Sequence, residues 1–284
     1  MAGLLAPMTP VRHVKKCPTM KPLASCPRSV LANIRGVFTD IDETVSTAGH
    51  LTAEAYGALA ALKKAGLLVV PVTGRPAGWC DHIARFWPVD AVVGENGAFW
   101  MWQDGKVGRL KTRFVQSDAE RAAGRRRLDA VRADVLREVA GTALASDQPY
   151  RLADLAIDFC EDVPALPRPE VERIVAIFKR HGAAAKISSI HVNGWFGDYD
   201  KLTTTRAMMA ELFDVDLDAR REAYVFSGDS PNDAPMFGFF PNGVGVANVR
   251  DFADAMPHLP SWITAARSGA GFVELAHALI AARS

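Results

Sequence analysis

Short apolar runs that stop on an acid or a small polar residue alternate with helically spaced stretches along the first third of the chain. "IRGVFTD" (34–40) is such a run and ends on a carboxylate, the pattern of a buried strand. Thr52 to Ala65 follows with Leu59 and Leu62 on one helical face and Gly66 as the stop. "LLVVPVTGR" reads as a second buried strand, and "PAGWCDHIARFW" as a helix with proline in its first turn. "VDAVVGEN" supplies a third strand. This alternation is the order of a parallel sheet with right-handed crossovers.

The pattern then changes. "AFWMWQDGKVGRL" carries an Asp-Gly turn between two strand-like runs, a hairpin signal. Ser117 to Val139 reads as a long charged helix with Leu128, Val131, Val135 and Val139 along one stripe. "RLADLAIDFC" is an imperfect strand, "PEVERIVAIFKRHG" a helix ending at Gly182, and "AAAKISSIHV" a further strand. After it the first pattern returns: a helix over Lys201 to Phe213, the strand "AYVFSGDS" ending on an acid, a short helix in "NDAPMFGFF", the strand "GVGVAN", and a closing helix over Phe272 to Ala282. The chain is therefore expected to be α/β, with residues of about 105–190 inserted as a second, α+β unit.

Composition narrows the class. With 284 residues, an apolar fraction of 49% and a net charge of +1, the chain can bury a substantial core and shows no bias toward nucleic acid or an anionic membrane. No apolar stretch reaches the roughly 18–20 residues that a membrane helix needs. Cys17, Cys26, Cys80 and Cys160 are scattered without Cys-x-x-Cys spacing, which argues against a zinc site or disulfide scaffold and fits a reducing, cytoplasmic setting. The first 33 residues are rich in proline, carry basic residues and contain no acid. Prolines and lysines interrupt every candidate signal core there, so the segment reads as a disordered extension, with Met20 as an alternative start.

Candidate chemistry collects at the ends of the expected strands. Asp40 and Asp42, Thr73-Gly74-Arg75, Lys201, and Gly228-Asp229 with Asn232-Asp233 should converge at the carboxyl edge of a parallel sheet, where ligands bind. Carboxylates meeting there need a cation, and oxygen-only ligands suit Mg²⁺. A hydroxyl and backbone amides at Thr73-Gly74, with the Lys201 ammonium, are groups that hold phosphate. Together they point to phosphoryl transfer with a carboxylate nucleophile.

These stretches resemble, in order, the four motifs of the haloacid dehalogenase superfamily: "DIDET", "VTGR", "DYDK" and "GDSPND". The branch they resemble holds the Cof-like, sucrose-phosphate and mannosyl-phosphoglycerate phosphatases, and "GENGA" (94–98) looks like the stretch preceding its cap. The resemblance runs from about residue 34 to the end. It implies a Rossmann-like core over 34–104 and 191–284, an inserted cap over 105–190, and a Mg²⁺-dependent phosphatase acting on a small phosphorylated metabolite, preferably a sugar phosphate. Asp40 would be the nucleophile and Asp42 the acid and base. Thr73, Gly74, Arg75 and Lys201 would hold the phosphoryl group. Asp40, the Asp42 carbonyl and Asp229 would bind the metal, with Asn232 and Asp233 ordering it or ligating it through water. A phosphomutase of the same branch, or a phosphate-binding protein without catalysis, are the alternative readings.

Glu43 departs from the usual Gly or Asp after the second Asp and has no assigned role. Other features have plainer readings. The run "RAAGRRR" is balanced by neighbouring acids, as on a solvated cap helix. Trp79, Trp87, Trp100 and Trp102 read as core, and Cys80 as a buried helix residue. His191, Asn193 and Trp195 alternate and share one face of a strand, either lining the pocket or packing at the cap hinge.

Overall fold

The computed structural model describes residues 20–105, 108–188 and 190–283. In chain order the strands are β1 (Lys21–Pro22), β2 (Gly36–Thr39), β3 (Leu68–Pro71), β4 (Val92–Gly94), β5 (Phe99–Asp104), β6 (Arg109–Phe114) and β7 (Ala143–Leu144). They continue with β8 (Leu155–Asp158), β9 (Ala184–Ile187), β10 (His191–Trp195), β11 (Tyr224–Gly228), β12 (Val244–Gly245) and β13 (Trp262–Ile263). The helices are α1 (Arg28–Asn33), α2 (Ala53–Lys64), α3 (Ala77–Phe86), α4 (Asp118–Glu138) and α5 (Arg168–Arg180), then α6 (Lys201–Phe213), α7 (Leu217–Arg220), α8 (Ala234–Phe239) and α9 (Ser268–Arg283).

A parallel sheet in the order β1-β13-β12-β11-β2-β3 forms the base of the molecule. Its central strands are buried on both faces, which explains their continuous apolar runs. Side chains alternate: Phe38 joins a cluster with Met208, Met209, Met236 and Phe237 from α6 and α8. Val37 joins Leu59 and Leu62 of α2 and Leu275 and Leu279 of α9 on the opposite face. Burying each such side chain fully contributes roughly 1.5–3 kcal/mol. A bridge from Val72 to Val93 carries the sheet on to β4, which opens the antiparallel order β4-β5-β6. The four-stranded antiparallel sheet β7-β8-β10-β9 lies beyond it. Helices α4 and α5 cover one face of that sheet, with Leu128, Val131, Ile174 and Phe178 packed on Leu155, Ile157 and Val192. The opposite face carries Asp158, His191 and Asn193.

Four expectations are corrected. Residues 20–33, read as part of a disordered extension, are folded: Lys21 and Pro22 pair with Trp262 and Ile263, and Leu23, Cys26 and Ile34 fill the core beside α9. Prolines 22 and 27 precede a 3₁₀ turn and α1 as caps, so here they open elements and do not break them. The expected extension over 1–19 lies outside the described residues. The boundary at 105 falls inside the β5–β6 hairpin, whose six register pairs make it one unit. The boundary at 191 is also displaced, because β10 pairs antiparallel with both β8 and β9. Among the tryptophans, Trp100 is core, but Trp79 is 46% exposed on α3 with the Arg75 guanidinium over its ring. Cys80 is buried in α3 as expected.

Candidate active site

β2 lies between β11 and β3 and runs parallel to both, so the loops after these strands open on one edge. The chain leaves β2 at Asp40, whose amide donates to Ser227 of β11 at 2.9 Å, and leaves β11 at Asp229. A 3₁₀ turn at Pro231–Asp233 then brings Asp233 back, so that its Oδ2 accepts the Asp229 and Ser230 amides at 3.1 and 3.3 Å. Lys201 enters from the first turn of α6, positioned by the capping box of Asp200 and Thr203. Its Nζ donates to Asp40 at 3.0 Å and to Asp233 at 2.8 Å.

Asp40, Asp229 and Asp233 offer carboxylate oxygens within 4.8 Å of one another, and all three are buried. One ammonium cannot neutralise three carboxylates, and among the described residues the side-chain donors to Asp229 are the neutral Thr44 Oγ1 and Asn248 Nδ2 at 3.2 and 3.0 Å. Burial pushes the Asp40 carboxyl up to about 7 against the pull of Lys201, with the charges of Asp233 and Asp42 adding to the rise. Burial, then Asp233 and Asp40, raise Asp229 well above the carboxylate range. Burial opposes the Lys201 charge, but Asp233 and Asp40 outweigh it and hold the ammonium above its ordinary value. A buried oxygen cluster with surplus negative charge fits a hard divalent cation.

Asp42 stands at the mouth of this cluster, gripped by Arg75: Nε donates to Oδ1 at 2.9 Å and Nη2 to the same oxygen at 2.6 Å. Burial works against the Arg75 charge, and Asp42 more than restores it. Gly74 and Arg75 line the cleft, together with Asp40, Asp42, Ser230 and Asn232. Thr73 does not: it is wholly buried, and its hydroxyl accepts the Arg75 amide at 3.0 Å. Asn232 reaches the cleft with its Oδ1 accepting from Ser230 Oγ at 2.7 Å. The roof of this cleft comes from the antiparallel sheet and its loops, through Arg151, Ser188, Ile190, His191 and Asn193.

Arg151 is fixed there by Asp147 and Asp154 and donates to the Gly74 carbonyl at 3.0 Å, while Asp154 accepts from Asn193 Nδ2 at 3.2 Å. His191 is 3% exposed, and its Nε2 lies 2.8 Å from Glu161 Oε2 without the alignment of a hydrogen bond. Burial first, then the Arg151 charge, lower this ring to about 4, so it is neutral near pH 7. The alternation of His191 and Asn193 thus resolves as pocket lining, whereas Trp195 packs with Tyr199 beneath.

Several site residues escaped the sequence reading. Asn248 joins Asp229, the Glu43 carbonyl and the Ser268 amide, and nothing but its place after an apolar run marks it. Thr44 and Arg151 carry no motif of their own. Glu43, which has no role in the sequence motifs, has a positive φ of 52° and accepts from Ser268 Oγ at 2.9 Å, which ties the loop after β2 to α9.

Residues 37–121 match the family model for haloacid dehalogenase-like hydrolase. No curated protein matches the chain significantly by sequence. Among solved structures, one from Thermoplasma acidophilum is similar at a TM-score of 0.66 and 18% identity, covering 87% of this chain and 99% of that one. The sucrose-phosphatase of Synechocystis, solved with sucrose and phosphate, aligns at 0.61 and 14% identity over 86% and 98% of the two chains. The C-terminal domain of trehalose-6-phosphate phosphatase from C. albicans aligns at 0.67 and 10% identity over 93% and 98%. The segment bearing Asp40, Asp42 and Thr73-Gly74-Arg75 is thus similar to haloacid dehalogenase-like hydrolases, and those solved structures share the fold of the chain.

Proposed function

We propose that the chain is a Mg²⁺-dependent phosphatase that hydrolyses a small phosphorylated metabolite, preferably a sugar phosphate, through an aspartyl-phosphate at Asp40. The observation that carries this reading is the buried trio Asp40, Asp229 and Asp233 around Lys201, with Asp42 at its mouth and a polar roof above. The sugar-phosphate preference rests on the sucrose and trehalose phosphatases whose fold the chain shares.

In this reading an Asp40 oxygen bonds to phosphorus as the ester oxygen leaves, and Asp42 gives that oxygen its proton. Asp42 then takes a proton from a water that attacks the phosphorus of the acyl phosphate, which returns Asp40 and releases phosphate. Lys201 and the Gly74 amide offset charge on the phosphoryl oxygens. Arg75, paired with Asp42 in this arrangement, lies where it can exchange that carboxylate for a phosphoryl oxygen. Bound through Asp40, the Asp42 carbonyl and Asp229, with Asn232 and Asp233 beside it, Mg²⁺ would supply transition-state charge stabilisation. The parallel sheet with its helices acts as the catalytic core, and the region from α4 to β10 as the cap that selects the substrate. Buried Cys26 and Cys80 as free thiols suit a reducing, cytoplasmic setting.

The test is release of inorganic phosphate from a panel of phosphorylated metabolites in ¹⁸O-labelled water. We expect Mg²⁺-dependent release carrying the label, abolished by EDTA and in Asp40→Asn. Full activity in Asp40→Asn would remove the nucleophile assignment, and return of phosphate to a second position on a sugar, without label, would favour the mutase.

A further inference from the structure

The turn between β4 and β5 is wound more tightly than a hairpin needs. Glu95, Asn96 and Gly97 follow one another at φ of +44°, +55° and +109°. A left-handed conformation costs a residue other than glycine about 1–3 kcal/mol, and it persists only where the surroundings over-determine it. Those surroundings are the catalytic loops. The amides of Glu95 and Asn96 donate to the carbonyls of Arg75 and Thr73 at 3.1 and 3.0 Å. Thr204 of α6 donates to the Gly97 carbonyl at 2.6 Å, and a Cβ on Gly97 would stand 2.2 Å from the Asp200 carbonyl oxygen. The turn therefore joins the Thr73-Gly74-Arg75 loop to the helix that carries Lys201.

The Glu95 side chain adds a third connection. It is wholly buried and, among the described residues, has no Lys or Arg in ion-pair contact. Four backbone amides satisfy it instead. Oε1 accepts from Ala77 at 3.0 Å and Leu152 at 2.8 Å, and Oε2 accepts from Ala153 at 2.6 Å and Asp154 at 3.1 Å. Ala77 belongs to the core helix α3, whereas 152–154 lead into β8 of the antiparallel sheet. Three successive amides converging on one carboxylate form an anion-binding nest, here filled by a side chain from the other layer. Arg151, directly before that nest, reaches the Gly74 carbonyl, and Asp154, its last residue, holds Asn193 through its side chain.

We propose that Glu95 is a positioning residue: its carboxylate seats the 152–154 stretch on the core, so that Arg151, His191 and Asn193 face Asp40 and Asp42 across the cleft. The consequence for catalysis rests on the phosphatase reading, but the seat itself does not. Burial and the nearby Asp154 push the Glu95 carboxyl up to about 7, so the test is run at pH 8, where it is ionised.

Amide hydrogen exchange is measured on the wild type, Glu95→Gln and Glu95→Asp. In the wild type Leu152, Ala153 and Asp154 should exchange together and slowly, although they precede the strand. In Glu95→Gln the new amide must point its N–H groups at two of the four donors, and Glu95→Asp is too short to span both layers. Either variant should speed exchange at 152–154 at least tenfold, while Ile174 and Ile177 of α5 stay within twofold of wild type. With p-nitrophenyl phosphate the expected split is a KM raised at least tenfold and a kcat changed less than threefold, since the roof holds the leaving group and the core performs the chemistry. Unprotected 152–154 amides in the wild type would overturn the proposal. So would unchanged exchange there in a folded variant, loss of protection across α5 as well, or a fall confined to kcat. A wild type inert toward every phosphate ester would remove the phosphatase reading, and the exchange data would still decide the seat.

Discussion

Asp40, Asp229 and Asp233 stand closer together than carboxylates tolerate without counter-charge, and each arrives by a different local route: a strand end, a second strand end, and a 3₁₀ turn that folds back. The first two routes were legible because an acid directly after an apolar run is visible in the sequence, whereas Asp233 was marked only by its place in "GDSPND". Asn248, Arg151 and the Glu43 contacts were not legible, since their partners lie up to 225 residues away and no local pattern encodes them. His191 carries a prediction at this scale. Its folded value of about 4 lies below the ordinary histidine value near 6.5, because burial disfavours the charged ring. For a depressed base the stabilising contribution is present above pH 6.5 and is lost as pH falls through 4. Integrated between pH 7 and pH 4 this amounts to about 3 kcal/mol. Urea unfolding at the two pH values should show wild type losing that much more stability than His191→Asn, and equal losses would contradict the assignment.

At the level of elements, period and punctuation located the long pieces: α2, α4, α5, α6 and the strands that end on acids. What they could not supply was pairing. Alternation put His191, Asn193 and Trp195 on one face, but the choice of β8 and β9 as neighbours depends on long-range register. Likewise β1 and α1 are too short for a periodic signal, and their prolines read as breakers although they act as caps. The seating of β10 on α5 is close: a Cβ on Gly194 would lie 2.2 Å from the ring of Phe178, which is fully buried. Overpacking of this kind costs about 1–3 kcal/mol or more. Gly194→Ala should therefore lower the unfolding midpoint by the equivalent amount in thermal or urea denaturation. An unchanged midpoint would mean that α5 packs less tightly on the sheet.

Over the whole molecule, the two kinds of sheet divide the work. The parallel sheet gathers acids and Lys201 at one edge, and the antiparallel sheet lays neutral His191 and Asn193, with the paired Arg151, across the opening. The order of the motifs and the presence of an insertion were legible because both are written along the chain. The extent of the roof was not, because β10 returns to the second sheet after the chain has almost re-entered the core. The phosphatase account stands or falls on one bond, between Asp40 and phosphorus. Rapid quenching during turnover, followed by borohydride reduction and peptide mass analysis of residues 37–49, reads that bond directly. The account predicts a substrate-dependent reduction of the Asp40 acyl phosphate to the alcohol, with Asp42 untouched. An unmodified Asp40 during active turnover, or the same reduction at Asp42, would contradict it.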